Sequence, residues 1–517
     1  LNLKQTSLLS EKASAQDNGN GKELYNYQLN DLDKIFNCME EESDDFNLLY
    51  QLPTGGGKTV IFSEIVRRYI KEKQKKVVIL THRIELSSQT SKMLKSFDVP
   101  NMVINSKVKT LEGNEDYMCY VAMVETLNNR LQDEQIDIND IGLVIIDEAH
   151  YNSFRKLFSY FKDAFILGVT ATPLSSNVKL PMKDNYRKLI IGESIGSLIE
   201  KGFLAKANMH TYDVGLKTLQ VGINGDYTVK SSEILYTNHS MQEKLLAAYE
   251  ERAKGTKTLI FNNGINTSRY VYETFREAGY DVKHLDNTHT NKERKEILKW
   301  FKNTPDAILT SVSILTTGFD EPSVETIILN RATRSLTLYF QMIGRGSRVL
   351  PDKKTFEVID LGNNMARFGL WDAPMDWNDI FLYPDFYLEN LVSDEEIERN
   401  FEYVMPPELR AQFSNSESIE FDIKKEYEDV FAKGLKSKEA LERSIDQHAR
   451  IIFENTEDVF DARILARELK EEIQYRIRLY SYCIMKNTKN YKDWLEEDYM
   501  RKLRLKLSQM YANIPAQ

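Results

Sequence analysis

Cysteine is scarce, with only Cys38, Cys119 and Cys483 in 517 residues. They lie far apart and form no CxxC pair, which excludes a disulfide framework and a four-cysteine zinc site. No stretch approaches the ~20 apolar residues needed to span a bilayer. The first residues, Leu1-Asn2-Leu3-Lys4, run on into polar sequence without the apolar core of a signal peptide. The expectation is a soluble, cytoplasmic protein with reduced thiols and no membrane partner. Excess positive charge is missing too: the formal net charge is -10 and the isoelectric point about 5.5. A nucleic-acid partner therefore needs a local basic groove, because the mean field repels phosphate. No short-period repeat and no nuclease, methylase or protease constellation appears.

What is present is an alternation. A polar segment, 1–22, reads as a flexible lead-in. From 23 to 207, short apolar runs at 77–80, 120–124, 143–146 and 164–167 alternate with helical patterns. Such runs predict buried parallel strands covered by helices on both faces. Residues 208–240 break the rhythm and read as a linker with short strands of its own. The alternation resumes over 241–365, with strand-like runs at 259–261, 282–285, 307–309, 326–329 and 356–359. Residues 366–517 begin irregular and aromatic, then become charged with apolar residues at helical spacing. The predicted fold is α/β: two tandem parallel-sheet domains followed by a mainly helical C-terminal domain.

The strongest local signal is Leu52-Pro53-Thr54-Gly55-Gly56-Gly57-Lys58-Thr59, between an apolar stretch and a helix. Glycines let backbone N–H groups turn inward around phosphates, and the following helix adds its dipole. Lys58 supplies a point charge for the β- and γ-phosphates of ATP, and the Thr59 hydroxyl a ligand for Mg²⁺. The bland alternative is a glycine turn before a surface helix. The second signal, Asp147-Glu148-Ala149-His150, follows the strand at 143–146. A carboxylate there faces the ligand crevice of an α/β sheet. Asp147 is suited to hold Mg²⁺ through water and Glu148 to orient and deprotonate an attacking water. Alone, an acidic pair is more often a solvated strand end; beside a phosphate loop the functional reading dominates.

With these motifs the chain resembles superfamily 2 helicases of the DEAH type, whose core is two RecA-like domains. Tyr27-Gln28 resembles the adenine-reading glutamine motif, with Tyr25 where many relatives have an arginine that stacks on adenine. Thr81-His82-Arg83-Ile84-Glu85-Leu86 and Val124-Glu125-Thr126-Leu127 resemble strand-contacting motifs, and Thr170-Ala171-Thr172-Pro173 a coupling motif. Leu259-Ile260-Phe261-Asn262, Thr316-Thr317-Gly318-Phe319-Asp320 and the run from Gln341 to Arg348 resemble the fourth, fifth and sixth motifs. The likeness extends to the RadD group and to the helicase parts of type III restriction enzymes. The zinc element that the RadD pattern places after the core is one that scattered cysteines cannot supply.

The resemblance implies that Tyr25, Gln28, Gly318, Asp320 and Gln341 join the phosphate loop in binding nucleotide. It implies that Arg83, Thr126 and Thr317 contact nucleic acid, and that His150, Thr170 and Thr172 couple hydrolysis to it. Arg345 and Arg348, read as three apart on a helix, share a face from which both could reach a γ-phosphate. The implied activity is ATP-dependent translocation on nucleic acid, DNA favoured over RNA, in DNA repair or phage defence. An ATP-controlled clamp recruiting a protein partner through the C-terminal domain stays open. His284 and His289 lack a third ligand for a metal case. The acidic run at 40–45 reads as a solvated loop, and Tyr475, Tyr480 and Tyr482 as helical core.

Overall fold

The computed structural model describes residues 24–512 apart from 44, 115, 213, 217, 317, 402–404, 415–420 and 485–488. Within helices and turns, the side chains of residues 313, 398–401, 424, 482, 489 and 490 are also outside this set. The lead-in segment 1–22 and Thr317 therefore lie outside the described residues.

Two compact units make up the chain, one ending at Leu391 and one running from Val392. The first holds two wholly parallel sheets. Its strands are β1 (Asn47–Gln51), β2 (Lys76–Thr81), β3 (Met102–Ile104), β4 (Cys119–Met123), β5 (Ile141–Asp147), β6 (Phe165–Thr170), β7 (Lys188–Ile191), β8 (Lys206–Thr211), β9 (Thr258–Asn262), β10 (Val282–Leu285), β11 (Ile308–Ser311), β12 (Thr326–Asn330) and β13 (Thr355–Asp360). The first sheet has seven strands in the order β3-β4-β2-β5-β6-β1-β7. The second has six, in the order β10-β11-β9-β12-β13-β8. Runs such as Leu143 to Ile146 are wholly apolar because helices cover both faces, and all four side chains are buried.

Strand order is what assembles the chemistry. Adjacency of β2, β5, β6 and β1 sets the carboxyl ends at Thr81, Asp147, Thr170 and Gln51 side by side. Four motifs far apart in sequence thus share one rim of the sheet, where open α/β sheets bind ligands. In the second sheet, β11, β9 and β12 likewise bring Ser311, Asn262 and Asn330 together.

Two boundaries differ from the sequence reading. Residues 206–211, expected to lie at the end of the first domain and in a linker, form the outer strand of the second sheet, parallel to β13. The rest of the expected linker contributes an isolated antiparallel bridge, Val221 to Tyr227, and the helix Val229–Tyr236. It is anchored to the second sheet: the Asp226 carboxylate accepts from the Thr333 hydroxyl at 2.7 Å and the Arg334 N–H at 2.7 Å. The expected helical domain also begins too early at 366. Trp371 packs edge-on to Phe356 at 6.0 Å, and Trp377 and Ile380 join the same core, so this aromatic stretch belongs to the first unit.

The second unit is helical, with Ile423–Ala432, Lys438–Glu454, Val459–Glu468, Lys470–Cys483 and Lys489–Ala512 around its own core. Tyr480 is buried there and Tyr475 packs against it; the side chain of Tyr482 is outside the described set. Inside the core, His448 Nδ1 lies 2.7 Å from the Tyr499 hydroxyl, and Nε2 lies 3.3 Å from Glu472. Burial, aided by the Arg476 charge and opposed by Glu472, holds the His448 imidazole down at about 4. An unfolded histidine takes its proton near ~6.5. Stability is thus full above that pH and is expected to fall, by on the order of a few kcal/mol, as pH drops from about 6.5 to about 4. Thermal unfolding across that window checks this, and His448→Gln should flatten the dependence; an unchanged slope in the variant would refute it. Among the described residues, no helix is long and apolar enough to cross a membrane.

Candidate ATP site between two parallel-sheet domains

The phosphate loop leaves β1 and enters the helix Lys58–Lys73. Gly55 and Gly57 adopt φ of 89° and 88°, a region that side chains disfavour. A Cβ on Gly57 would also lie 2.6 Å from Gln28 Nε2. Gly57→Ala is expected to weaken ATP binding in a titration, since the strain of a left-handed alanine falls on the phosphate cradle; wild-type affinity would contradict this geometry. Gln28 accepts from the Tyr25 N–H at 3.0 Å, and the Tyr27 hydroxyl donates to the Gly56 carbonyl at 2.8 Å. The glutamine motif thus braces the loop. The Tyr25 ring stacks on Tyr27 at 6.0 Å and meets Phe203 at 4.3 Å. Nothing in the sequence marked Phe203.

Lys58 folds over its own loop, donating to the Leu52 carbonyl at 3.2 Å. Burial lowers its pKa, while the charges of Glu148 and Asp147 oppose this. Asp147 and Glu148 are both buried at the end of β5. Burial and the neighbouring Glu148 charge push the Asp147 carboxyl up. Glu148 moves the other way: burial would raise it, but the charges of Lys58 and Arg345 hold it low. The two adjacent carboxyls are therefore shifted in opposite directions. Glu148 also has φ of 55°, rare for a side-chain-bearing residue.

The second domain completes the site. The helix Leu336–Ile343 ends before the two arginines: Arg345 lies on the turn that follows and Arg348 beyond that turn, so the expected shared helical face does not exist. Glycine is needed here because a Cβ at Gly344 would meet the Thr54 side chain at 2.8 Å and one at Gly346 would meet Phe356 at 2.3 Å. Gly344 thus lets this segment pack closely on the phosphate loop. Arg348 donates to the Gly55 carbonyl at 3.3 Å and pairs with Asp320 at 2.9 Å. Arg345 donates to the Phe319 carbonyl; burial lowers its pKa to about 10 against the opposing Glu148 charge, so it stays protonated at neutral pH. Gly318, at φ of 74°, accepts from Gln89 of the first domain.

Among the described residues, Thr54 Oγ1, Glu148 Oε2, His150 Nε2 and Gln341 Nε2 are buried without a hydrogen-bond partner. Orphaned polar atoms around facing cations and carboxylates mark a site built for a polyanion and a cation. His150 Nδ1 lies 3.0 Å from Thr170 Oγ1 and 3.5 Å from Glu148 Oε2. Thr172 Oγ1 meets Thr337 Oγ1 across the domain boundary at 2.7 Å, a partner the sequence did not reveal.

A cleft of about 610 Å³ also lies between the domains, lined by Arg83, Glu85, Asn263, Arg294 and Ile314 among others. Arg83 donates to the Ile314 carbonyl at 3.1 Å, and Arg294 pairs with Glu85 across the cleft. Thr126, half-buried in the helix Val124–Gln132, is not among the lining residues. His284 and His289 both bond Asp286, and among the described residues no group of three or more His, Cys, Asp or Glu could hold a metal ion.

Residues 21–175 match the family model for the type III restriction enzyme res subunit, and residues 239–349 the helicase conserved C-terminal domain. The chain is similar to the putative ATP-dependent helicase IRC3 of Saccharomyces cerevisiae, 29% identical over 65% of this chain and 51% of that one. A 51.5 kDa protein of a Lactococcus phage is also 29% identical, over 64% of this chain and 69% of its own. The type I restriction enzyme EcoAI endonuclease subunit of Escherichia coli is 25% identical over 64% of this chain and 45% of its own. The chain thus spans about half the length of the first of these relatives. Among solved structures, a fragment of a putative HsdR subunit of a type I restriction enzyme from Vibrio vulnificus YJ016 shares the fold. It has a TM-score of 0.52 at 20% identity, over 74% of this chain and 68% of that one.

Proposed function

The chain belongs to helicase superfamily 2, related to the helicase parts of restriction enzymes, and from this we propose that it couples Mg-ATP hydrolysis to movement along DNA. One observation carries the reading. Arg348 of the second domain bonds the phosphate loop of the first, and Arg345 lies within electrostatic reach of Glu148. A site complete only when the domains close ties hydrolysis to their relative motion.

Lys58 and the loop N–H groups bind the phosphates of ATP, while Thr59 and Asp147 hold Mg²⁺. The metal ion supplies charge neutralisation at the phosphate oxygens. Glu148, kept ionised by Lys58, takes the proton from the attacking water. Arg345 and Arg348 stabilise the charge that develops on the transferred group. The Thr172–Thr337 contact and the His150–Thr170 bond relay closure between the ATP site and the cleft. Arg83 lines that cleft and serves backbone contact, which reads no sequence and suits a moving track; the resemblance of its motif gives Thr317 the same role.

Relatives named as restriction enzyme subunits favour DNA over RNA and a role in phage defence or DNA repair. Displacement of a third strand from a triplex tests movement on duplex, and strand displacement from a fork tests separation. Activity in either supports the motor; ATP turnover with neither would overturn it. The second reading is an ATP-controlled clamp whose C-terminal unit recruits a protein. It is motivated by the separate helical unit, on which Phe431 and Phe460 are 75% and 68% exposed. Slow turnover with ATP-dependent retention on nucleic acid would select it.

A further inference from the structure

Between β2 and the helix Ile84–Lys95, consecutive residues face opposite ways. Arg83 lines the interdomain cleft, while the His82 ring packs 4.2 Å from the Tyr151 ring at an interplanar angle of 37°. Tyr151 lies 4.4 Å from the His150 ring at 40°. His150 in turn is 3.5 Å from Glu148 Oε2. The Tyr151 N–H also donates to the Glu148 carbonyl at 3.2 Å, closing the turn that holds Glu148 in its left-handed conformation. A continuous series of contacts therefore runs from the cleft wall to the group that activates water.

The His82 end of this series is not pinned. Among the described residues neither of its ring nitrogens has a hydrogen-bond partner, although both are buried. Burial holds the imidazole down at about 4, so the ring is neutral at pH 7. Such a ring shifts against its neighbour without breaking a hydrogen bond or moving a charge. The Glu148 end is the opposite: a strained backbone held by a hydrogen bond transmits displacement and does not absorb it.

We propose that Tyr151 is a positioning residue that transmits occupancy of the interdomain cleft, through His82 on one side and His150 on the other, to Glu148. This deepens the functional reading above and rests on it. A strand displacing Arg83 from the Ile314 carbonyl moves the segment that carries His82. The rings, tilted against one another, pass that movement to the turn at Glu148, so the water-activating carboxylate reaches its working position only when the cleft is filled.

The test measures ATP turnover with and without single-stranded DNA for wild type, Tyr151→Phe, Tyr151→Leu and Tyr151→Ala. DNA affinity is read by fluorescence anisotropy and folding by thermal unfolding. Tyr151→Phe, which keeps the ring, should stimulate like wild type. Tyr151→Leu and Tyr151→Ala should lose at least about tenfold of the stimulation while basal turnover and DNA affinity stay within about twofold. His82→Ala should produce the same loss, and the double variant should lose no more than either alone. Full stimulation in Tyr151→Leu, or equal loss of basal and stimulated rates in a folded variant, would overturn the proposal. Absence of stimulation in the wild type would instead overturn the functional reading, and the role of Tyr151 with it.

Discussion

Glu148→Gln is expected to lower DNA-stimulated ATP turnover by about 10²–10⁴-fold, the range for loss of a positioned general base. Glutamine keeps the shape of the side chain and still orients water, so ATP affinity should change little. What it lacks is proton affinity. Glu148 is buried, and its Oε2 has no hydrogen-bond partner among the described residues, so one oxygen is available to accept a proton. Burial would raise its carboxyl, but the charges of Lys58 and Arg345 hold it low. Asp147, one residue earlier, cannot substitute in this reading, because its carboxylate is committed to Mg²⁺. Single-turnover hydrolysis beside a nucleotide-binding titration checks this. Tight binding with lost chemistry is the expected pattern; retained chemistry would remove Glu148 from its role.

Arg345→Ala is expected to cost about 10³–10⁵-fold in stimulated turnover, as for removal of an arginine finger. Arg345→Lys should recover little, since a compact ammonium lacks the planar fork that addresses two oxygens. Arg345 is the stronger finger because it lies half-buried in the facing domain, within reach of the Glu148 charge. Arg348 pairs with Asp320 at a partly exposed position, so Arg348→Ala should cost less. Both variants should bind ATP nearly as wild type does, because Lys58 and the loop N–H groups belong to the other domain. The ranking is read from single-turnover rates, and an Arg348→Ala defect exceeding that of Arg345→Ala would reverse it.

Much of this site was legible in the sequence because its parts are local. The phosphate loop and the Asp147-Glu148 pair each place their chemistry within a few residues, directly after a strand, and strand order then brings them together. The arginines were legible as residues but not in their setting. The glycines beside them are fitted to Thr54 and Phe356, which leave no room for a Cβ at Gly344 or Gly346 and come from distant parts of the chain. Thr337, Phe203 and Tyr151 were missed for the same reason: each matters through a partner on another element.

The misplaced boundaries have a related cause. Residues 206–211 read Lys-Ala-Asn-Met-His-Thr, a half-polar run whose strand character comes from pairing with β13. His210 and Asn208 both bond Glu357 on that strand, so the polar side chains that obscured the strand help to hold it. Trp371 and Trp377 sit in sequence without strand or helix periodicity. They are core residues because they pack back onto the first unit, which periodicity does not reveal.

ATP hydrolysis is expected to depend on nucleic acid occupying the first unit. The most direct test is steady-state ATP turnover without nucleic acid and with single-stranded DNA, duplex DNA and RNA, with Glu148→Gln alongside. Strong stimulation by DNA, weaker stimulation by RNA, and none in the variant are expected. Turnover that is the same with and without every polymer would contradict this dependence.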